Sequence, residues 1–424
     1  MSQTPSAPDH KAGTTLSYFG WLTLFLYIGT PTGYLIDIQT SFLLKNHLHA
    51  SATQIATFRL ITALPVYLGF LFGVMRDQWN PLGLRDRGFF LIFAPLTAVG
   101  FVLMAYFTVS YAHLVTGMLL CMVGSRFVAA AYNGLIALVG QEQLMSGRLS
   151  VVWNVVSSVP VFLGAVASGY ISDHLDAQAA FLLAAAGALL IGVTALFKPA
   201  SVFRHAYDAP QARTTRLADS VGRLVRHRAI YPAVLICFLW NFAPGSNTPV
   251  QFYLSNQIHA PDSVYSYYNA IFVAGFVPTF LLYGYLCKRL PLQKLLWWGT
   301  IVAVPQMVPL AFIHSGTQAM VLAAPIGLMG GLATAAYYDL AMRSCPPGLQ
   351  GTLMMLVDGV FVLSLRGGDV LGSAIYNSSP VHGFTYCVIA TTVVYALILP
   401  LLLFVPKEVI STADGEPAPL PAAN

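Results

Sequence analysis

Twelve apolar stretches, separated by short polar breaks, limit what this chain can fold into. A helix needs roughly 20 apolar residues to cross a hydrocarbon core of about 30 Å, and each stretch can supply that span. With 57% hydrophobic and 9% charged residues, against about 25% charged residues in soluble domains, most of the surface cannot face water. The sequence predicts an all-α membrane protein with twelve transmembrane helices, at residues 15–44, 52–76, 88–109, 114–140, 150–172, 178–197, 230–257, 264–287, 294–313, 317–343, 352–376 and 384–405.

The basic residues predict the orientation of these helices, because cytoplasmic loops retain Lys and Arg. With a cytoplasmic amino terminus, nearly all of the 21 Lys and Arg residues fall in cytoplasmic segments; Arg59, Arg126 and Arg366 lie within spans and Lys45 lies outside. We therefore expect both termini in the cytoplasm and a multi-pass protein of the cell membrane. The net charge of +5 then indicates contact with anionic lipid headgroups and no binding to nucleic acid.

The two halves of the chain carry a similar layout. The matched positions are Gly73-x-x-x-Asp77 with Gly284-x-x-x-Lys288, and Ala130-Ala131-Tyr132 and Gly147 with Ala335-Ala336-Tyr337 and Gly351. Internal repeats of this kind are typical of transporters whose substrate binds between two halves. The predicted organisation is two pseudo-symmetric six-helix bundles joined by a linker, with boundaries at 1–14 (tail), 15–197 (bundle), 198–229 (linker), 230–406 (bundle) and 407–424 (tail).

Two hydrophilic segments and the cysteines complete this organisation. The stretch from Lys198 to Arg228 carries arginines at helical spacing, which predicts an amphipathic helix along the inner membrane face. The tail after Val409 is rich in Ala and Pro, and we expect it to be disordered. The five cysteines form no close pair, so we interpret them as small apolar fillers and not as metal ligands or disulfides.

Six ionisable residues lie within the predicted spans, where inserting each charge costs about 2.5–3.5 kcal/mol. They are Asp37, Arg59, Arg126, Asp358, Arg366 and Asp369. At that cost they must face protein or water. The first hairpin brings Asp37 and Arg59 to a similar depth, which predicts a salt bridge, and Arg366 is close enough to neutralise Asp369 on the same helix. A purely structural role, holding helices together, is the alternative.

Arg126 has no acidic residue near it in the sequence. We expect an unpartnered cation near the middle of the membrane, which suits an anionic substrate.

The first and seventh spans are interrupted at matching positions, by Thr30-Pro31-Thr32-Gly33 and by Pro244-Gly245-Ser246. Proline removes a backbone donor and glycine loosens a helix, so paired interruptions predict a binding site and gate. A proline kink that only improves packing is the alternative. The polar residues that follow are Tyr34 and Asp37 in one half, and Asn247 and Gln251 in the other.

The sequence argues against enzymatic chemistry. It contains no Gly-rich phosphate-binding loop ending in Lys and Ser or Thr, no Ser-His-Asp arrangement and no metal-ligand cluster. All 10 histidines lie in tails, loops or span ends. We therefore expect no enzyme activity and no cofactor, and any coupling proton is expected on a carboxylate, with Asp37 and Asp358 as candidates.

The spans, the basic central loop and Gly73-x-x-x-Asp77 resemble the major facilitator superfamily. Within it the chain looks most similar to the folate-biopterin transporter family. The segments that carry this resemblance are Phe42-Leu43-Leu44-Lys45, Gly83 with Arg85 and Arg87, Phe238-Leu239-Trp240 with Ala243-Pro244, Pro291-Leu292-Gln293-Lys294, Asp339-Leu340-Ala341, Cys345-Pro346-Pro347-Gly348 and Gly351-Thr352. The resemblance implies a two-bundle fold, alternating access and transport of a folate or pterin.

Two segments depart from that family's pattern. The second span has Pro65-Val66-Tyr67-Leu68-Gly69-Phe70 where the family usually shows Pro-Trp followed by Lys-Pro. The fourth span has Ala129 and Asn133 where the family tends to carry two aspartates, and Arg126 precedes them. Both departures bear on the substrate and on the coupling ion.

The predicted function is secondary active transport of a small, anionic organic solute, with folate-like or pterin-like solutes favoured, by a monomer that works through alternating access. Alternatives are a permease or exporter for a muropeptide, nucleoside, peptide, drug or lipid, and a receptor that does not transport. The predicted substrate-binding residues are Tyr34, Arg126, Asn133, Asn154, Trp240, Asn241, Asn247, Gln251, Tyr337, Tyr338 and Arg366. The predicted coupling or gating residues are Asp37, Arg59, Asp77, Asp358 and Asp369.

Overall fold

The chain is folded into helices throughout most of the part that the computed structural model describes, which comprises residues 9–31, 33, 36, 40, 43–44, 48–107, 110–174, 176–203 and 217–417. The α-helices are α1 (Asp9–Ile28), α2 (Ala52–Tyr67), α3 (Gly69–Gln78), α4 (Asp86–Phe107), α5 (Tyr111–Glu142), α6 (Ser146–His174), α7 (Ala177–Thr194), α8 (Leu217–Arg226), α9 (Ile230–Asn241), α10 (Asn247–Phe252), α11 (Asp262–Leu286), α12 (Leu292–Ala303), α13 (Gly316–Arg343), α14 (Gln350–Asn377), α15 (Gly383–Ala396), α16 (Ile398–Leu401) and α17 (Lys407–Ile410).

These helices follow the predicted spans to within a few residues where both are described. Within the described ranges, nine helical segments are long and apolar enough to cross a membrane. The shorter apolar helix α9 adds to them, and α2 and α3 together form the second span. Part of the first predicted span falls outside the described residues, so the number of twelve spans stays a prediction.

Polar caps start several of the long helices. The Ser110 hydroxyl accepts a hydrogen bond from the backbone N–H of His113 at the start of α5, and Ser315 does the same for Gln318 at the start of α13. The Asp176 carboxylate accepts from Ala179 at the start of α7. Each cap satisfies a backbone donor that has no partner within its own helix.

Both predicted interruptions break their helices. α1 ends at Ile28, and the seventh span stops at Asn241 before resuming as α10. The N–H of Gly245, inside the second break, donates to the Thr391 hydroxyl of α15 at 2.6 Å. A backbone group freed by the break is thereby satisfied inside the protein, as a membrane interior requires.

The helices form two groups that pack against each other along several helix pairs. In the first group α4 packs on α5 and α7, and in the second α13 packs on α11 and α12. Between the groups, α3 packs on α14 and α6 packs on α11. One buried core cluster runs through both groups and includes the equivalent tyrosines Tyr132 and Tyr337. The five cysteines are all buried, as predicted.

The carboxy-terminal tail is ordered further than predicted. After α17 the chain is described as far as residue 417, and Ile410 and Asp414 are buried beneath the helices. The expectation of disorder after Val409 is therefore wrong for residues 410–417, because Ala and Pro composition does not reveal the contacts that hold this segment. The linker between the bundles is also predicted to form a helix along the inner membrane face. α8 supplies the helix, and its position against the membrane stays a prediction.

Glycines on α14 allow it to approach the break in the seventh span. A Cβ added at Gly372 would overlap the carbonyl oxygen of Pro244 and lie 3.0 Å from the Pro249 ring. At Gly368 an added Cβ would lie 2.9 Å from the backbone nitrogen of Ala243. Only residues without a side chain permit this spacing between α14 and the broken segment.

Replacing Gly372 with Ala should lower the free energy of unfolding by about 1–3 kcal/mol, because the new methyl group overpacks α14 against Pro244. The measurement is thermal unfolding of the purified protein in detergent. Gly13→Ala is the matched control, since a Cβ there meets nothing within 4 Å. Equal melting temperatures for the two variants would contradict the prediction.

Candidate functional site

A central cavity of about 530 Å³ lies between the two groups of helices. Tyr27, Arg126 and Trp153 line it from the first group, and Trp240 and Tyr338 line it from the second. Its walls combine aromatic rings with a few charged and amide groups. This size and composition suit a small organic molecule better than a bare ion.

A salt bridge crosses the central cavity. Arg126 Nη1 on α5 lies 2.8 Å from Asp358 Oδ2 on α14, with 11% of the arginine side chain and 33% of the aspartate side chain exposed. Arg126 Nε is buried without a hydrogen-bond partner. The prediction of an unpartnered Arg126 is therefore wrong, because its acid lies 232 residues away in the sequence.

Arg366 is the cation that faces the cavity without such a partner. It lines the cavity and is exposed, and among the described residues it forms no ion pair or hydrogen bond. The expected neutralisation of Asp369 by Arg366 is not seen. The Asp369 carboxylate instead accepts hydrogen bonds from the backbone nitrogen and hydroxyl of Thr248, at 3.0 and 2.9 Å. The free backbone N–H at the start of α10 therefore takes the place of Arg366 as the partner of the Asp369 carboxylate.

An aromatic floor, made of Trp153 and Tyr338, closes one end of the cavity. The two rings stack with centroids 4.2 Å apart and an interplanar angle of 10°. The Tyr338 hydroxyl donates to Asn133 Oδ1 at 3.4 Å. Asn133 is seven residues beyond Arg126 on α5, or roughly 10 Å along the helix. The floor thus joins the two groups of helices below the salt bridge.

Beyond the floor lies the basic end, defined as the end of the bundle that carries Arg76, Arg148 and Arg343. There the Gln141 amide donates to the carbonyls of Met342 and Cys345, at 2.9 and 2.8 Å. Met342 lies in the last turn of α13 and Cys345 lies two residues beyond the helix, where backbone acceptors lack helical partners. The two groups of helices are therefore joined at the basic end as well as at the floor.

The Asp77 contact is the second connection at the basic end. The Asp77 carboxylate on α3 accepts from the backbone nitrogens of Gly351 and Thr352, at 3.1 and 2.7 Å, and from the Thr352 hydroxyl at 2.6 Å. Arg76 binds Asp77 at 2.8 Å and holds Asp86 through two hydrogen bonds. A carboxylate is stabilised at a helix amino terminus by the free N–H groups and the helix dipole.

The structure brings together many, but not all, of the predicted site residues. Those that line the cavity are Arg126, Asn133, Trp240, Asn241, Tyr337, Tyr338, Asp358 and Arg366. Those described elsewhere are Arg59, Asp77, Asn154, Asn247, Gln251 and Asp369. Tyr34 and Asp37 lie outside the described residues, so the predicted pair of Asp37 with Arg59 stays a prediction.

Helical phase explains the misplaced asparagine on α6. Asn154 is buried and its amide donates to the Ser150 carbonyl at 2.8 Å, on its own helix. Successive residues on a helix point about 100° apart, and the neighbour, Trp153, is the one that faces the cavity. The sequence analysis missed Trp153. Its position hid it, because Trp153 is only three residues from the start of the predicted span 150–172, where a tryptophan usually marks the membrane interface.

The two misplaced residues of the seventh span belong to α10. Asn247 starts that helix, and Gln251 is exposed one turn later. Asp369 holds the start of α10 through Thr248, and neither predicted side chain lines the cavity. Tyr337 lines the cavity but is only 2% exposed, with its hydroxyl bonded to Thr300 at 2.7 Å.

Two groups of membrane-spanning helices around a central cavity are the architecture of many solute transporters. The sequence profile of the Major Facilitator Superfamily matches residues 12–365. The chain belongs to this superfamily.

Individual relatives agree with that assignment. A folate-biopterin transporter of Synechocystis sp. (strain ATCC 27184 / PCC 6803 / Kazusa) is 24% identical over 361 residues, which cover 79% of this chain and 70% of the relative. The human organic anion transporter MFSD10 (TETRAN) superimposes with a TM-score of 0.63 at 15% identity, over 94% of this chain and all of that one. The transporter FucP in the outward conformation gives a TM-score of 0.65 at 14% identity, with the same coverage. At these identities the structures are similar in fold alone.

Replacing Trp153 with Ala should open the floor and admit reagents from the basic end, because one of the two stacked rings is removed. Cys237 lines the cavity and can serve as the single remaining cysteine. We expect a charged thiol reagent applied at the basic end to label Cys237 at least several times faster than in the parent. Trp21→Ala is the control, since Trp21 is 57% exposed on α1 and away from the cavity. Unchanged labelling in Trp153→Ala would refute a closing role for the floor.

Proposed function

We propose that the protein is a secondary active transporter of a small organic anion, with folate-like or pterin-like solutes favoured. The observation that carries this proposal is the Arg366 guanidinium, which is exposed in the cavity wall and has no partner among the described residues. A cation at bilayer depth is costly unless it meets water or an anion. Its position between the two groups of helices makes it a receptor for an anionic substrate group.

The rest of the cavity fits a substrate with a flat ring. Trp153, Tyr338 and Trp240 line the cavity. Trp153 and Tyr338 stack on each other and Trp240 stacks on Tyr395, so a heteroaromatic ring would contact the ring surfaces that face the cavity. Asn133 and Asn241 add amide groups that can hydrogen-bond the ring edge. A folate carries carboxylates and a flat ring in one molecule, and the similarity to the folate-biopterin transporter of Synechocystis sp. supports this class of solute.

The salt bridge between Arg126 and Asp358 gives the site a means of coupling. A substrate carboxylate that reaches Arg126 competes with Asp358 for the same guanidinium. Once displaced, Asp358 has lost the partner of its salt bridge. Because the pair joins α5 to α14, breaking it also removes a connection between the two groups of helices. Substrate binding and rocking of the groups are thereby linked, and Asp358 remains the candidate carrier of a coupling proton.

The contacts at the basic end close the cavity towards one side of the membrane. The Gln141 amide and the Asp77 contact join the two groups there, and the floor joins them on the same side of the cavity. We infer that the basic end faces the cytoplasm, because cytoplasmic loops are enriched in Lys and Arg. The conformation is then closed to the cytoplasm, with both termini inside and the protein in the cell membrane. One chain contains the complete cavity, which favours a monomer.

Replacing Arg366 with Gln should reduce uptake more than tenfold, because the cavity loses the cation that receives the substrate anion. The measurement is accumulation of radiolabelled folate and biopterin by proteoliposomes. The control is Lys294→Gln, which removes an exposed charge outside the cavity.

A bound ligand also stabilises the folded protein by mass action, by about 2.7 kcal/mol in the free energy of unfolding at a hundred times its Kd, and this raises the melting temperature. A set of pterins, folates, nucleosides, peptides and organic acids tests the substrate class. Normal uptake and normal stabilisation in Arg366→Gln would contradict the proposal.

Replacing Arg126 with Gln should abolish transport without preventing membrane insertion, and should lower the melting temperature because Asp358 loses its partner. The double variant Arg126→Gln with Asp358→Asn should regain most of the stability but no transport, since no charge remains to be exchanged. Thermal unfolding and proteoliposome uptake are measured on the parent protein and on both variants. Full transport by the double variant would rule out the proposed coupling role of the pair.

A further inference from the structure

The buried tail residue Asp414 contacts a helix of the opposite group. Its carboxylate accepts from the backbone nitrogen of Gly147 at 3.0 Å and from Arg148 Nε at 2.7 Å. Gly147 and Arg148 lie in the first turn of α6, in the first group of helices. Asp414 lies in the tail that follows the second group. The contact therefore crosses between the groups at the basic end.

The geometry repeats that of the Asp77 contact. Gly351 and Thr352 occupy the second and third positions of α14, and Gly147 and Arg148 occupy the second and third positions of α6. In each case one carboxylate accepts from the glycine backbone N–H and from the side chain of the next residue. Gly147 and Gly351 are also matched positions of the internal repeat.

The internal repeat shows why a tail residue is needed. Asp77 stands at the end of Gly73-x-x-x-Asp77, and its counterpart in Gly284-x-x-x-Lys288 is an exposed lysine. A lysine has no acceptor for the N–H of Gly147. The second half of the chain thus lacks a carboxylate at the position where the first half has one.

We propose that Asp414 supplies this missing carboxylate, so that the carboxy-terminal tail forms the second of two equivalent gating contacts at the basic end. The contact stabilises the conformation that is closed at the basic end, and it must break when that end opens. Asp414 is a positioning residue that does not touch the substrate. The proposal rests on alternating access by the transporter, but not on the identity of its substrate.

Further contacts hold the tail in the required place. The Asp414 backbone N–H donates to the Cys287 carbonyl at 2.8 Å, and Arg343 donates to the Thr412 carbonyl at 3.0 Å. Burial raises the pKa of the Asp414 carboxyl, and the neighbouring Asp339 acts in the same direction, whereas Arg148 opposes it. Arg343 lies 2.9 Å from Asp339 and 3.8 Å from Asp414, so it offsets part of the repulsion between the two acids.

The test measures the distance between the two groups at the basic end. Spin labels are placed on the exposed Leu82 and Gln293, one in each group, and the distance distribution is recorded for full-length protein without substrate. Asp414→Ala should increase the ratio of long-distance to short-distance populations by about tenfold, the order expected for a charge-assisted hydrogen bond. Adding Lys288→Asp to Asp414→Ala should restore the short distance, because the carboxylate then comes from the position equivalent to Asp77.

Glu408→Gln is the matched control, since it removes the same charge from an exposed site in the same tail; its distribution should equal that of the parent. If Asp414→Ala is not monodisperse, Asp414→Asn takes its place, with a smaller shift expected because one acceptor oxygen remains. An unchanged distribution in the Asp414 variant overturns the proposal. So does a failure of Lys288→Asp to restore the short distance in a monodisperse double variant. Absence of folate uptake would count against the proposed substrate alone, because no substrate enters this measurement.

Discussion

Charge held within the hydrocarbon region is the constraint on which the rest of this structure depends. Every ionised side chain at that depth requires an opposite charge, a backbone dipole or water. Arg126 meets Asp358, and Asp369 meets the start of α10. Arg366 alone, among the spanning arginines whose surroundings are described above, faces the cavity without a protein partner. The proposed position of the substrate site rests on this difference: the charges already paired within the protein hold the helices together, and the remaining one is proposed to bind the solute.

The same constraint shapes the closed end. Helix amino termini carry free N–H groups, and those of α6 and α14 lie where the two groups of helices meet. Each is satisfied by a carboxylate from the other group, Asp414 for α6 and Asp77 for α14. Such contacts are strong while made and can be replaced by water when the end opens, because the N–H groups and the carboxylates then become hydrated. They therefore suit a joint that must form and break repeatedly.

The sequence predicted the features that depend on local pattern. Hydropathy placed the described helices to within a few residues, and proline with glycine marked the break between Asn241 and Asn247. It could not predict features that depend on long-range pairing or exact helical phase. The acid that binds Arg126 lies in the other half, and a rotation of one residue exchanged Asn154 for Trp153 at the cavity. The order of the tail depends on single contacts of Asp414, which composition does not record.

The thickness of the closed segment has an electrical consequence. From Asp358 to Gly351 is seven residues of α14, or roughly 10 Å, about a third of the hydrocarbon core. In the proposed transport cycle the cavity opens as an aqueous vestibule, which conducts ions and sustains little of a transmembrane voltage, so most of the potential drop is concentrated across this short insulating layer. An anion held at Arg366 has crossed little of that field. The voltage-dependent work is about 2.3 kcal/mol per charge for each 100 mV. It is then done mainly during the conformational change that opens the basic end and closes the opposite end.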